Sequence, residues 1–528
     1  MTNYQFTGGT ICAPATIPGT GAISIIRVSG KEALAIADKV IDTNGAPIAE
    51  TEGYRLRYGT VLEADGSVLD NVIVSVFRAP HSYTGENSVE ISCHASRFIV
   101  NKILELLVNA GARIAAPGEF TRRAFVNGKM DLAQAEAVAD VIASQSAASH
   151  RVAMNQLKGG FSSELKTLRE KLLTMTSLLE LELDFSEEDV EFASRKELGQ
   201  LVDDSLTHIG RLTASFSRGN AIKNGVPVAI VGATNTGKST LLNALLGEER
   251  AIVSDIAGTT RDTIEETLNI DGILFRFIDT AGIRETDETI EKIGIDRTFK
   301  KLGEAAVVLG MTDLSRGEAA VLEDADFILS KVNEMGGVNN VGLVSDGAET
   351  GGVSQHAHGD GQERKVVILV NKCDVAGDFY RDDNGTGYGS GNDLGENMAE
   401  ISGNKNVNHD NNIVSLIENK YDNCKVIPIS AKTGKGLSTL TKTLGEIGSE
   451  LTGSTDETLV TNVRHYEALV RAASALERVR TGLHIATIPP DLIAQDLREA
   501  LYHLGEIVGE ISTDETLGNI FRNFCIGK

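Results

Sequence analysis

The spacing of apolar positions changes character along the chain, and each change marks a different kind of predicted element. From Thr10 to about Arg123, short β-branched runs (22–28, 72–77, 89–92) alternate with glycine and proline turns and one helix-like stretch, 99–110. That mixture predicts an α+β domain. At Asp131 the period lengthens. Asp131 and Gln134 have the spacing of a capping box, in which each side chain accepts a hydrogen bond from the other residue's backbone N–H. Leu132, Ala135, Val138 and Ile142 then recur at helical steps, and Leu165, Leu168, Leu172, Met175 and Leu179 continue as the stripe of a long amphipathic helix.

Near Val226 the pattern becomes an apolar strand, a glycine-rich turn and a helix, and strands alternating with helices run on to about Ser449. This predicts a parallel α/β domain. Beyond Thr461 helical spacing returns through Val463, Leu469, Ala473, Leu476, Leu497, Leu501 and Leu504. The two helical blocks are expected to pack as one bundle with the α/β domain inserted between them, an arrangement that domains with neighbouring termini tolerate. The stretches 336–362 and 377–412 are dense in Gly, Asn, Asp and Ser. Both are expected to be mobile loops, because they bury too little to offset their ordering entropy.

Length and charge narrow the reading. A chain of 528 residues is enough for roughly three or four domains at about 150 residues each. Its 50 lysines and arginines stand against 74 aspartates and glutamates, a net charge of -24. A general basic surface for nucleic acid is therefore excluded. The five cysteines, Cys12, Cys93, Cys373, Cys424 and Cys525, lack both zinc spacing and the even count of a disulfide framework, which favours a reducing compartment. Residues 1–30 show no secretory leader, and no apolar run reaches the ~18 residues a membrane span needs. The expectation is a soluble, cytoplasmic protein with no membrane contact.

The clearest chemistry lies at 232–239. Gly232, Ala233, Thr234, Asn235, Thr236, Gly237, Lys238 and Ser239 match G-x-x-x-x-G-K-[ST], between the apolar run 228–231 and a predicted helix over 240–246. Backbone N–H groups from this loop and from Thr240 can cradle phosphates, Lys238 can reach the β and γ oxygens, and Ser239 can hold magnesium. The run 366–370 ends in Asn371, Lys372, Cys373 and Asp374, where an aspartate can accept both hydrogens on the N1 and N2 edge of guanine. The run 426–429 ends in Ser430, Ala431 and Lys432, which would close over the base, and 274–278 ends in Asp279, Thr280, Ala281 and Gly282. There Asp279 would serve magnesium and the Gly282 amide the γ-phosphate. Together these motifs imply GTP and GDP binding.

The flanking residues add a resemblance. Ser254, Asp255, Ile256, Ala257, Gly258, Thr259, Thr260, Arg261 and Asp262, the stretch 279–295, the runs AISIIRVSG, SYTGE, VEISCH and PGEFTRRAFVNGKMDLAQAEAVA, and the tail Phe524, Cys525, Ile526, Gly527, Lys528 resemble the MnmE (TrmE) family of tRNA-modification GTPases. The resemblance implies an N-terminal tetrahydrofolate-binding and dimerisation domain over 1–129, a helical domain over 130–221 and 451–528, and a G domain over 222–450. It implies a potassium-activated GTP hydrolase in which Asn235, Ser254, Ile256 and Thr259 coordinate the ion, and Ser239 and Thr260 serve magnesium. Position 283 is isoleucine, so the usual water-positioning glutamine is absent. By resemblance Glu291 takes that task, although by pattern alone it is one more solvated charge beside Glu285, Asp287 and Glu288.

The same resemblance places a tetrahydrofolate, as its 5,10-methylene or 5-formyl form, against Arg27, Glu90, Lys129 and Lys528. It makes Cys525 a candidate catalytic thiol. By its own neighbours Cys525 reads equally as an apolar cysteine among Phe521, Phe524 and Ile526, whereas Cys12, Cys93 and His94 read as structural. The implied partners are a second copy, the protein MnmG in a heterotetramer that brings FAD and NADH, and tRNA held mainly through that complex. The implied outcome is an aminomethyl or carboxymethylaminomethyl group at C5 of the wobble uridine. Two departures from the family pattern stand out: Thr234 replaces the usual proline, and Ala95 and Ser96 replace a glycine pair. The rival readings are a ribosome-assembly scaffold GTPase without covalent chemistry and a plain folate-dependent aminomethyltransferase.

Overall fold

The structure is a computed structural model that describes residues 8–63, 65–184, 195–249, 266–278, 305–334, 364–375, 413–421, 424–453, 458–484, 489–511, 513–522, 524 and 527. The chain divides into two compact units, one of Met1–Ala143, Val152–Phe216 and Thr458–Lys528, the other of Ser144–Arg151 and Ser217–Glu457. The predicted loops 336–362 and 377–412 lie outside the described residues.

The first unit opens with an α+β domain. It comprises β1 (Ile11–Pro14), β2 (Ile23–Ser29), α1 (Ala33–Val40), β3 (Ile41–Asp42), β4 (Arg55–Leu62), β5 (Val68–Phe77), β6 (Ser88–His94), α2 (Arg97–Asn109), β7 (Arg113–Ile114) and α3 (Glu119–Val126). The strands form one sheet in the order β3-β4-β5-β6-β2-β1-β7. Alternation decides its faces: Ile26, Val28, Val72, Val74, Val76, Val89 and Ile91 are buried against α1 and α2, while the residues between them point the other way. The register sets Arg27 of β2 directly opposite Glu90 of β6. Ser96, ahead of α2, has φ -95 and ψ 131, and neither Ala95 nor Ser96 has a positive φ. The turn therefore does not need the glycine pair.

Helices α4 (Leu132–Ala143), α5 (Ala147–Leu157), α6 (Gly160–Asp184) and α7 (Arg195–Ala214) follow. The capping box forms as the spacing predicts: the Asp131 N–H donates to Gln134 Oε1 at 3.0 Å and the Gln134 N–H to Asp131 Oδ1 at 2.8 Å. Leu132, Ala135 and Val138 are buried, whereas Ile142 is exposed.

The second unit contains α8 (Phe216–Asn224), β8 (Val226–Gly232), α9 (Lys238–Glu249), β9 (Glu266–Ile270), β10 (Ile273–Ile278), β11 (Val307–Asp313), α10 (Glu318–Glu334), β12 (Lys365–Asn371), α11 (Ile413–Lys420), β13 (Lys425–Pro428) and α12 (Leu437–Thr452). Its sheet runs β13-β12-β11-β8-β10-β9. The pairing is parallel except at the edge, where β9 is antiparallel to β10. Both faces are covered. Val226, Val228, Ile230, Val367 and Leu369 join one apolar core with α9 and α12, while Ala229, Val231, Val366, Ile368 and Val370 join another with α10 and α11. Double coverage is why these strands read as unbroken apolar runs.

The chain closes in the first unit with α13 (Val463–His484), α14 (Pro490–Val508) and α15 (Asp514–Arg522). Leu165, Leu168, Leu172 and Leu179 of α6 share one core with Leu198 and Val202 of α7, Leu469 and Leu476 of α13, and Leu497, Leu501 and Leu504 of α14. The two helical blocks thus form one bundle. Among the described residues no helix is long and apolar enough to cross a membrane.

Candidate functional site

Strand β8 delivers the chain to Gly232 and α9 begins at Lys238, so 233–237 form the turn between a strand end and a helix N-terminus. The turn needs unusual backbone. Asn235 has φ 60 and Gly237 φ 99, and a Cβ on Gly237 would collide with the Asn371 amide nitrogen. Thr236 is buried and its hydroxyl donates to the Ala233 carbonyl at 2.9 Å. The result is a backbone concavity at the positive end of α9, the arrangement that receives phosphates. Ser239 and Thr240 occupy the first turn of that helix.

Lys238 lies folded on its own loop, where Nζ donates to the carbonyls of Gly232 at 2.9 Å and Ala233 at 2.8 Å. Burial pushes its pKa below the ordinary lysine value. A half-buried ammonium held, among the described residues, by carbonyl dipoles would gain from an anion placed in the concavity, so the donor set fits a phosphate chain.

The far wall comes from two parallel strand ends. The Asn371 Nδ2 donates to the Thr236 carbonyl at 2.7 Å, and its Oδ1 accepts from the Ala431 N–H at 3.0 Å. One carboxamide thereby joins the phosphate loop to the loop after β13. Ser430 is buried and Lys432 exposed; the Ser430 N–H donates to the Lys435 carbonyl at 2.9 Å and closes that loop. Lys372 has φ 64 and pairs with Asp313 at 2.6 Å. Asp374 stands half-buried in the turn after β12. Of the expected nucleotide and metal residues, Ser254, Asp255, Ile256, Ala257, Gly258, Thr259, Thr260, Asp279, Thr280, Ala281, Gly282 and Glu291 lie outside the described residues. Among the described residues no group of three or more His, Cys, Asp or Glu forms a metal cluster.

A second constellation belongs to the α+β domain. Arg27 donates through Nε to Glu90 Oε1 at 2.9 Å, and its Nη2 lies 2.8 Å from the same oxygen. Its guanidinium carbon stands 5.2 Å from the Tyr83 ring centre and 5.7 Å from that of Phe120, within cation–π range. Nη1 donates to the Gly527 carbonyl at 3.5 Å, which brings the tail beside Arg27. Gly527 has φ 95, and a Cβ there would collide with the Pro14 carbonyl. Lys129 reaches the same neighbourhood indirectly, donating to the Pro80 carbonyl at 3.1 Å in the loop that carries Tyr83. A cation on aromatic rings with an adjacent carboxylate is chemically suited to a flat, anionic ligand with a donor edge. Cys525 and Lys528 lie outside the described residues.

Cys12, Cys93, Cys373 and Cys424 are free and buried, and burial pushes each thiol up to about 11. They are inert at neutral pH. The His94 ring is exposed, and both its backbone N–H, at 2.9 Å, and its Nδ1, at 2.6 Å, meet the buried Asp70 carboxylate. Sequence reasoning also passed over Asp313, Tyr83 and Phe120. Only Asp313 left a local signal, a charge ending the apolar run 305–311.

Comparison with known proteins agrees with these motifs. The family model for the GTP-binding protein TrmE N-terminus matches residues 10–129, and that for the MnmE helical domain matches 132–525. A protein of Bacteroides fragilis named tRNA modification GTPase MnmE is 47% identical over 521 residues, covering 98% of this chain and 99% of its own. Proteins of the same name from Parabacteroides distasonis (46%, covering 98% and 100%) and Flavobacterium johnsoniae (45%, covering 98% and 99%) are similarly close. A solved GTP-binding protein from Sulfolobus solfataricus in complex with GDP aligns over 54% of this chain and 67% of its own, with 16% identity and a TM-score of 0.26. That score carries neither fold nor function.

Proposed function

The chain belongs to the MnmE family of tRNA modification GTPases, and on that premise we propose that it hydrolyses GTP as part of the modification of tRNA wobble uridines at C5. The observation that carries the nucleotide half is the Asn371 carboxamide, which ties the phosphate loop through Thr236 to Ala431. In this reading Asp374 accepts the N1–H and N2–H of guanine, and the loop of Ser430, Ala431 and Lys432 closes over the base. Lys238 exchanges the carbonyls of Gly232 and Ala233 for β and γ phosphate oxygens. Ser239 with Thr260 and Asp279 would hold magnesium, and Asn235 with Ser254, Ile256 and Thr259 would hold potassium. Held there, the two ions would supply positive charge to the phosphates as negative charge develops on them. Glu291 orients the attacking water.

The one-carbon half rests on Arg27, Glu90 and the tail. Arg27, braced by Tyr83 and Phe120, and Lys129 with Lys528 would bind a tetrahydrofolate derivative, Glu90 would pair with its donor edge, and Cys525 would assist the transfer. The working assembly is a homodimer joined to MnmG, which brings FAD and NADH, with tRNA held mainly by that partner in keeping with the net charge of -24. The domain boundaries proposed are 1–129, 130–221 with 451–528, and 222–450. Mass spectrometry of tRNA nucleosides from cells lacking this chain tests the reading. The C5-substituted wobble uridine is expected to disappear, and an unchanged nucleoside profile would reject the tRNA role in favour of a scaffold GTPase.

A further inference from the structure

Lysine 372 is held at both ends. Its backbone takes the left-handed conformation, φ 64, which side-chain-bearing residues enter at a cost, and its ammonium lies 2.6 Å from Asp313 Oδ2. Asp313 is itself fixed. It is the last residue of β11 and only 5% exposed. Its Oδ1 accepts from the Ser315 N–H at 3.0 Å and the Ser315 hydroxyl at 2.6 Å. Parallel pairing of β11 with β12 sets Asp313 opposite Asn371, so the strand end that carries the carboxylate lies beside the one that carries the carboxamide tying the loops together.

We propose that Asp313 is a positioning residue of the guanine-nucleotide site: it pins the Lys372 side chain so that its aliphatic stem is a preformed wall beside Asp374 before nucleotide arrives. The proposal rests on the GTP-binding reading above. An unrestrained lysine samples many rotamers, and ordering it at the moment of binding would cost affinity. A lysine already tied to a buried carboxylate has lost that freedom during folding. The pair also keeps the ammonium away from the carboxylate of Asp374, leaving that group to the base. The Ser315 bonds use Oδ1 and the lysine uses Oδ2, so the effect of Asp313 on nucleotide should pass through Lys372.

A double-mutant cycle on the full-length protein tests this. The readout is dissociation of a fluorescent GDP analogue, with wild-type binding measured in the same assay and thermal melts followed for every variant. Failure of the wild type to retain the analogue would sink the GTP reading itself. With wild-type binding established, Asp313→Asn is expected to speed dissociation roughly tenfold, the scale of one charge-assisted hydrogen bond. In a Lys372→Ala background the same substitution should leave the rate unchanged. Unaltered dissociation in Asp313→Asn overturns the proposal. So does an equal acceleration in both backgrounds, or loss of binding together with loss of the folding transition, since either would make Asp313 a structural residue only.

Discussion

Asn371 spends both ends of its carboxamide on backbone, one on the Thr236 carbonyl and one on the Ala431 N–H, and both partners are loops that need to keep their shape for a ligand. Replacement by alanine leaves a buried N–H and a buried carbonyl without their partner, each worth roughly 1–3 kcal/mol. Asn371→Ala is therefore expected to weaken GDP and GTP binding by roughly tenfold or more, read by equilibrium titration. An unchanged affinity would mean that the two loops hold themselves. The motif around Asn371 was legible because its residues are adjacent. The Lys372–Asp313 pair was not, since it depends on the register of β11 against β12, and the sequence between them runs through 335–363, outside the described residues. Arg27 and Glu90 were legible only through the family resemblance; the register that opposes them has no local signature.

Elements are joined by similar polar ties inside the bundle. Glu136 of α4 accepts from Arg464 Nε at 3.0 Å and Nη2 at 2.9 Å, and its Oε2 lies 2.7 Å from His465 Nε2 on α13. Arg464 also donates to the carbonyls of Glu506 and Ile507 on α14. Burial alone would raise the Glu136 pKa, but the facing His465 and Arg464 outweigh it and bring the carboxyl down to about 2. A carboxyl with a depressed folded pKa stabilises the fold above its unfolded value and loses that contribution as pH falls through the folded one. Glu136→Gln should thus destabilise the protein by roughly 2–4 kcal/mol at neutral pH. In urea melts the gap from wild type should narrow as pH drops from 4.5 toward about 2, and a gap independent of pH would assign the effect to packing. At this scale the sequence was informative wherever the signal was local or periodic, as in the Asp131–Gln134 box and the leucine stripe of α6. It was silent on β4, where Leu56 and Tyr58 alternate with Arg55 and Arg57 but are 68% and 64% exposed, so the alternation there marks the outward face instead of the core.

The whole molecule is proposed to couple GTP turnover in the second unit to one-carbon chemistry in the first, with potassium completing the phosphate site through Asn235. Replacing potassium by sodium at constant ionic strength is expected to lower the GTP hydrolysis rate by about tenfold or more, up to the roughly 10²–10³ that loss of one electrostatic stabiliser costs. GDP affinity should change little; equal rates in the two salts would remove Asn235 from the mechanism. The chain path has a separate consequence for biosynthesis. The apolar stripe of α6 and α7 shares its core with α13 and α14, and roughly 250 residues separate Ala214 from Val463. At about 5–20 residues per second, a ribosome takes roughly 12–50 seconds to deliver the missing helices. Throughout that interval Leu165, Leu168, Leu172 and Leu179 have only earlier-made partners such as Leu198 and Val202 of α7 to cover them, so chaperone engagement should peak while the inserted segment is being translated.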